Sequence, residues 1–252
     1  MSDLTGQWAV VTGASKGIGA GIARALVADG AHVLLVARNP DDLAAAATSL
    51  RADAGPGQEV RTEVADVADR AAVRRLLDVV AGLPSLNVFV ANVGSGMLRP
   101  FLEVTEEDWD GILALNLTGT FLCVQGAARV MVDQPPGNKS IIVVSSIRGL
   151  GARPGVAPYA ATKAGLNQLA RVAAYELAPL GVRVNVLSPG ITATPLSMDH
   201  NPDLLRERTE DVPMGRPGTP DDMARAAAYL AGPGSGFVTG TNLVVDGGES
   251  LW

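Results

Sequence analysis

A chain of 252 residues, 47% apolar and 18% charged, is ample for a buried core, arranged as one large α/β domain or two small ones. Its net charge of −6 argues against nucleic acid as the main partner, and no apolar run approaches the roughly 18 residues a membrane span needs. One cysteine (Cys123) precludes an internal disulfide framework, two isolated histidines (His32, His200) argue against a metal site, and an opening without a basic-then-apolar leader points to the cytoplasm.

Residues 7–12 (QWAVVT) form an apolar run entering Gly13, Gly17 and Gly19, and from Ile18 to Leu26 apolar residues recur at helical spacing. Strand, glycine turn and helix present free backbone N–H groups to a phosphate. Residues 32–37 (HVLLVA) read as the second strand. NPDD then starts a helix, with Asn39 as cap, Pro40 in the first turn and acids following. A third strand near residues 59–64 leads to Asp66 and a helix from about Asp69 to Val80. Residues 87–92 (NVFVAN) form a fourth strand ending in Gly94, and TEED from Thr105 resembles a capping box for a long helix to about Val132. KSIIVVSS, residues 139–146, is the fifth strand. A helix carrying Tyr159 and Lys163 runs to about Leu180, and residues 182–187 form the sixth strand. Residues 191–217, punctuated by Pro195, Pro202, Pro213 and Pro217, read as irregular and suit a substrate lid. TPDD from Thr219 begins another helix, and residues 242–245 form a last strand ending at Asp246-Gly247-Gly248.

Strands apolar on both faces, alternating with helices throughout, predict a Rossmann-like α/β fold. The expectation is a doubly wound parallel sheet of about seven strands with helices on both faces. No linker, repeat or low-complexity segment divides the chain, so residues 1–252 read as one domain.

The stretch SIRGLGARPGVAPYAATK, residues 146–163, carries the chemistry. A serine closes the fifth strand, a Gly/Pro loop follows, and Tyr159 and Lys163 stand four residues apart on one helix face. A free tyrosine titrates near ~10, and an adjacent ammonium favours the phenolate. The spacing therefore predicts a lowered tyrosine pKa, suited to acid–base work near neutrality. Tyr and Lys at this spacing also occur on exposed helix faces, so the pair alone leaves function open. Because a strand alternates faces, only one of Ser145 and Ser146 points to the site. The only lysines are Lys16, Lys139 and Lys163, and two of the three fall inside motifs.

Taken in order, these motifs resemble the classical short-chain dehydrogenase/reductase family, including its 3-oxoacyl carrier and carbonyl reductases, along nearly the whole chain. TGASKGIG is similar to the family's TGxxxGxG entry, which implies cofactor contacts from Gly13, Ser15, Lys16, Gly17, Ile18 and Gly19. Asp66-Val67 resembles the pair that contacts the adenine, and Asn92-Val93-Gly94 the NAG turn beside the cofactor. Here Val93 replaces the usual alanine, and Ala91 stands where another asparagine is common. Asn116 in LNLTG, Ser146, and Tyr159 with Lys163 as YxxxK match the family's catalytic set, whose spacing to Tyr159 selects Ser146 over Ser145. Pro189, Gly190, Thr192 and Thr194 match its PG…T segment at the nicotinamide, and PMGRPGTPDDMA and VDGG its C-terminal portion.

The resemblance implies roles. Tyr159 exchanges a proton with the substrate oxygen and Ser146 hydrogen-bonds that oxygen. Lys163 also holds the nicotinamide ribose, so Tyr159 and Lys163 count among the cofactor contacts. Asn116 interrupts its helix so that a water connects Lys163 to solvent. A homotetramer (or homodimer) is also implied, with the helices beginning near Thr105 and Pro158 packing between subunits. Leu251 and Trp252, apolar for an exposed end, suit docking on a neighbour.

The position after the second strand, where an acid would bind a ribose 2′-hydroxyl, is Ala37, followed by Arg38. With Lys16 in the glycine loop, this favours the 2′-phosphate of NADP(H) over NAD. The partner is a small-molecule carbonyl substrate. Ser95, Met97, Arg148, Leu150, Arg153, Val156 and residues 191–198 lie where the strand carboxyl ends place a pocket mouth, with Ile191, Leu196 and Met198 as an apolar wall. Arg148 or Arg153 either meets an anionic substrate group or is a surface arginine. Three readings stay open: an NADPH-dependent reductase of a ketone or 3-oxoacyl substrate, a dehydrogenase oxidising an alcohol, sugar or steroid, and a cofactor-binding scaffold without turnover.

Overall fold

Seven strands build one all-parallel sheet in the computed structural model, which describes residues 3–195 and 202–251. They are β1 (Trp8–Thr12), β2 (His32–Ala37), β3 (Val60–Val64), β4 (Val88–Ala91), β5 (Ser140–Val144), β6 (Arg183–Pro189) and β7 (Asn242–Val245), in the order β3-β2-β1-β4-β5-β6-β7. The helices between them are α1 (Gly17–Ala28), α2 (Pro40–Asp53), α3 (Arg70–Ala81), α4 (Glu106–Ile112), α5 (Thr120–Val132), α6 (Ala157–Leu177), α7 (Pro202–Glu210) and α8 (Pro220–Ala231).

Strand periodicity sorts the core into two halves. Trp8 and Val10 of β1 and Ile141 and Val143 of β5 pack with Leu76 of α3, Cys123 and Met131 of α5, and Leu166 of α6. Their sequence neighbours Ala9, Val11, Ile142 and Val144 point the other way, onto Ile22 and Leu26 of α1, Leu43 of α2 and Leu230 of α8. This is the Rossmann-like architecture, and it explains why β1, β4 and β5 are buried along their whole length. Edge strand β3 instead exposes Arg61 and Thr62, which discourages pairing with another sheet.

Local chemistry sets where helices begin. Asn39 Oδ1 accepts from the N–H groups of Asp41 and Asp42 at 2.9 and 3.0 Å, and Asp69 Oδ1 accepts from Ala71 at 2.8 Å. Thr105 with Asp108 and Thr219 with Asp222 each form a full capping box.

Two elements depart from the sequence expectation. The long helix from Thr105 is α-helical only at its ends; Leu113–Gly119 between α4 and α5 is a π segment. By length and hydropathy alone the helix Glu106–Val132 is long and apolar enough to cross a bilayer, against the sequence expectation of no such run. Half of its most apolar window is buried, against β4, β5, α3 and α6, as in a core helix. The segment 191–217, expected to be irregular, contains α7, whose first residue Pro202 occupies a position where a missing N–H costs nothing. Leu196, Met198 and Trp252, assigned above to a pocket wall and a subunit contact, lie outside the described residues.

Candidate active site

Sheet order reverses between β1 and β4, where an open α/β sheet leaves a crevice beyond its strand ends. Thr12 and Asn92 tie those two ends together. Asn92 Nδ2 donates to the Thr12 and Gly13 carbonyls at 3.0 and 3.3 Å, and the Asn92 N–H donates to Thr12 Oγ1 at 3.0 Å. Gly13 and Gly17 are left-handed, with φ of 66° and 58°. A Cβ on Gly19 would lie 2.2 Å from the Gly13 carbonyl oxygen. The turn is therefore a bare backbone cradle that delivers the N-terminus of α1, uncapped by the Lys16 side chain. Residues Ser15 and Ile18 are half-buried in it, and the Thr194 methyl lies 3.3 Å from where a Gly17 Cβ would stand. The segment Pro189, Gly190, Thr192, Thr194 thus folds over the loop, with Thr192 Oγ1 donating to the Gly190 carbonyl at 3.0 Å. A cradle that side chains would fill, ending in free helix N–H groups, fits the phosphates of a dinucleotide.

The remaining predicted cofactor residues divide. Asp66 Oδ1 accepts from the Ala68 N–H at 2.9 Å, and the Val67 carbonyl lies against Gly119, where a Cβ would approach it to 2.3 Å. Ala37 is buried at the end of β2 and Arg38 is exposed beside it. Lys16 forms an exposed ion pair with Asp42 of α2 at 2.8 Å.

Asn116, Ser146, Tyr159 and Lys163 converge beside this cradle. The π segment turns Asn116 fully inward. Its Oδ1 accepts from the Ser95 N–H at 2.9 Å, and its Nδ2 donates to the Ser95 carbonyl at 2.9 Å and to Thr162 Oγ1 at 3.3 Å. Thr162 in turn donates to the Tyr159 carbonyl at 2.7 Å. A Cβ on Gly94 would stand 3.1 Å from Lys163 Nζ and 3.5 Å from Asn116 Oδ1, so the bare backbone of this turn packs closely against both groups. The two serines part company. Ser145 Oγ donates to the Lys163 carbonyl at 3.1 Å, a packing contact between β5 and α6. Ser146 Oγ accepts from the Arg148 N–H at 3.1 Å and lies near enough to the Tyr159 phenol to lower its pKa.

Electrostatics at the tyrosine reverse the sequence expectation. Burial pushes the Tyr159 pKa up, and this outweighs the hydrogen bond from Ser146 and the charges of Arg148 and Arg208, which pull it down. Lys163 Nζ lies 5.6 Å from the Tyr159 ring centre and donates to the Val144 carbonyl at 3.0 Å. Burial draws the Lys163 pKa down to about 8. The charges that pull the phenol's pKa down are the two arginines, while Lys163 stands over the ring.

Glu249 and Arg208 have no place in the sequence motifs. The Glu249 carboxylate, 6% exposed, pairs with Arg148 Nη2 through one oxygen and accepts from the Ile191 N–H at 2.7 Å through the other. It joins the loop after Ser146 to the loop after Gly190. Only its position just after VDGG hinted at it. Arg208 sits on α7 and had no local signal. Arg153 pairs with Asp211 at 3.5 Å and Glu207 at 3.9 Å, and Arg99 N–H donates to the Gly155 carbonyl at 2.7 Å, bringing the loop after Met97 to the loop before Val156. Leu150 is exposed.

A family model described as Enoyl-(Acyl carrier protein) reductase matches residues 13–250. The (3R)-3-hydroxyacyl-CoA dehydrogenase of Rattus norvegicus is 39% identical over 97% of this chain and 96% of its own. A short-chain type dehydrogenase/reductase from Mycobacterium marinum superposes with a TM-score of 0.93 at 35% identity, covering 99% of this chain and 98% of its own. A structure from Beutenbergia cavernae, assigned as an NAD(P) dependent gluconate 5-dehydrogenase and holding NADP at low occupancy, gives 0.92 at 32%, with 99% of both chains covered. Likeness along the full length, on a sheet of this order, leaves one conclusion: the chain belongs to the short-chain dehydrogenase/reductase family, NAD(P)-dependent oxidoreductases that act on alcohols and carbonyls.

Proposed function

We propose that the protein is an NADP(H)-dependent reductase of a ketone or 3-oxoacyl compound, with Tyr159 as general acid. The observation that carries this reading is the convergence of Ser146, Tyr159, Lys163 and Asn116 beside the glycine cradle. A bound nicotinamide supplies the hydride. Tyr159 gives its proton to the oxygen on which charge develops, and Ser146 holds that oxygen by a hydrogen bond. A buried phenol stays protonated until that charge appears, and Arg148 and Arg208 then ease its loss. Lys163, at about 8, exchanges protons near neutrality, and Asn116 fixes the Ser95 turn beside it.

Ala37 and Arg38 support NADP(H), since no acid at the end of β2 repels a 2′-phosphate and Arg38 is exposed to meet it. Lys16 is held by Asp42 only in a solvent-exposed pair, from which a phosphate can draw it. The NADP of the Beutenbergia cavernae structure adds support. Exposed Trp109, Phe121, Val172 and Tyr175 on α4, α5 and α6 support a homotetramer packed through those helices. Residues 191–217 serve as the substrate cover. A second reading, oxidation of an alcohol, is favoured by relatives named as dehydrogenases; Tyr159 would then accept the proton it otherwise gives.

The test is NADPH oxidation against a panel of ketones and 3-oxoacyl thioesters, with Tyr159→Phe as the diagnostic variant. Turnover should fall roughly 10²–10⁴-fold while NADPH binding, read by fluorescence, is retained. Substantial activity in the variant would sink the assignment.

A further inference from the structure

Three arginines lie within electrostatic reach of one another near Tyr159. Arg148 follows Ser146, Arg153 precedes α6, and Arg208 comes from α7. Arg148 and Arg208 both act on the phenol; Arg208 itself is drawn down first by its burial, then by Arg153 and Arg148, while the carboxylates of Glu249 and Glu207 act the other way. Nearby acids are committed elsewhere. Glu249 is taken by Arg148 and the Ile191 N–H. Glu207 and Asp211 face Arg153 from exposed positions, at 71% and 59%. Arg208 is left over: its Nε is shut off from solvent and has no hydrogen-bond partner among the described residues.

A buried guanidinium N–H without an acceptor is costly, and the fork geometry of arginine suits a planar or tetrahedral oxyanion. We propose that Arg208 receives an anionic group of the substrate, a carboxylate or a phosphate, with Arg148 and Arg153 lending their field, so that the compound reduced at Tyr159 is a charged keto compound. This rests on the reading of Tyr159 as the proton donor to a carbonyl. It gives α7 a task beyond covering the site: the helix carries the group that fills only when an anion arrives. It also links recognition to chemistry, because an anion at Arg208 offsets part of the positive field that eases proton loss from Tyr159.

The experiment uses the full-length protein with NADP⁺, which cannot reduce a ketone, so that binding is read without turnover. Calorimetry compares linear keto carboxylates of increasing length with their uncharged amides and, in parallel, with hydroxyketone phosphates. At one or more lengths the acid should bind about tenfold or more tightly than its amide, the scale of a hydrogen bond to a charged group. Arg208→Gln should bring the ratio to about one and Arg208→Lys, which keeps the charge, should restore part of it. Phosphates outbinding carboxylates would identify phosphate as the group read. Acids and amides binding alike throughout, or a preference that survives in Arg208→Gln, overturns the proposal. The same series with NADPH separates the two readings. Charge-selective binding without turnover keeps the anion site and rejects the reductase; turnover indifferent to charge, with indifferent binding, does the reverse.

Discussion

Lys163 Nζ, in a side chain only 3% exposed, donates to the Val144 carbonyl at 3.0 Å, so the amine that the sequence places beside Tyr159 is anchored to the end of β5. Burial brings its pKa from 10.5 down to about 8. The folded state therefore prefers the neutral amine. Below about 8 both folded and unfolded chains carry the proton, and the burial penalty is fully present. Between about 8 and 10.5 the unfolded chain holds the proton that the folded one has released, so stability rises with pH across that window. The penalty at neutral pH is roughly 3 kcal/mol, at about 1.4 kcal/mol per pKa unit. Lys163→Met removes it but leaves the Val144 carbonyl without its donor, so the variant should gain about 1–3 kcal/mol at neutral pH without cofactor. Urea unfolding of both proteins on either side of the window reads this. An advantage of the variant that does not shrink as pH rises contradicts the assignment.

The Arg148–Glu249 pair predicts a second, larger effect. Glu249→Ala leaves a guanidinium that is 16% exposed without its acid and the Ile191 N–H without an acceptor. Breaking a buried pair from one side costs about 3–5 kcal/mol. Glu249→Gln should cost less, because its amide oxygen still accepts from Ile191 or Arg148. Denaturant midpoints measure both. The Ala variant should also bind cofactor more weakly, since Ile191 anchors the segment through Thr194 that lies over the glycine loop. Equal midpoints for the two variants would mean that the acceptor kept in Glu249→Gln contributes nothing.

Much of this was legible in the chain and some was not, for physical reasons that differ by residue. Caps act over three residues, so Asn39, Thr105 and Thr219 announce their helices. Strand burial follows from runs such as IIVV, where consecutive apolar residues serve both faces. The glycine turn shows because its backbone shape admits little else. The π segment LALNLTG shows only through the family resemblance, which implies an interruption at Asn116, because its apolar spacing alone is also that of an α-helix. Arg148 and Glu249 are 101 residues apart and meet only because their loops leave the same end of the sheet, after β5 and β7 on either side of β6. Helix spacing puts Lys163 on the face of Tyr159, but burial, a property of the assembled fold, decides the sign of the tyrosine's shift.

Cofactor choice gives the last prediction, and the structure adds its geometry. Ala37 ends β2 at the crevice edge, 6% exposed, and its carbonyl accepts from the Ala65 N–H at 3.0 Å, which holds β2 and β3 together there. A carboxylate on residue 37 would face the ribose end of a dinucleotide seated on the glycine cradle. There it accepts from a 2′-hydroxyl and repels a 2′-phosphate. Ala37→Asp should therefore lower the NADPH/NADH ratio of kcat/KM by about tenfold or more, since one unfavourable charge contact of about 1.4 kcal/mol suffices. Asp42→Asn should move it the other way by freeing Lys16 from its ion pair for the phosphate. Both changes act on the same 2′-phosphate, so the double variant should depart from simple addition. Steady-state kinetics with both cofactors provides the measurement. A ratio unmoved by Ala37→Asp would show that the end of β2 does not read the ribose, and the assignment to NADP(H) would lose its basis.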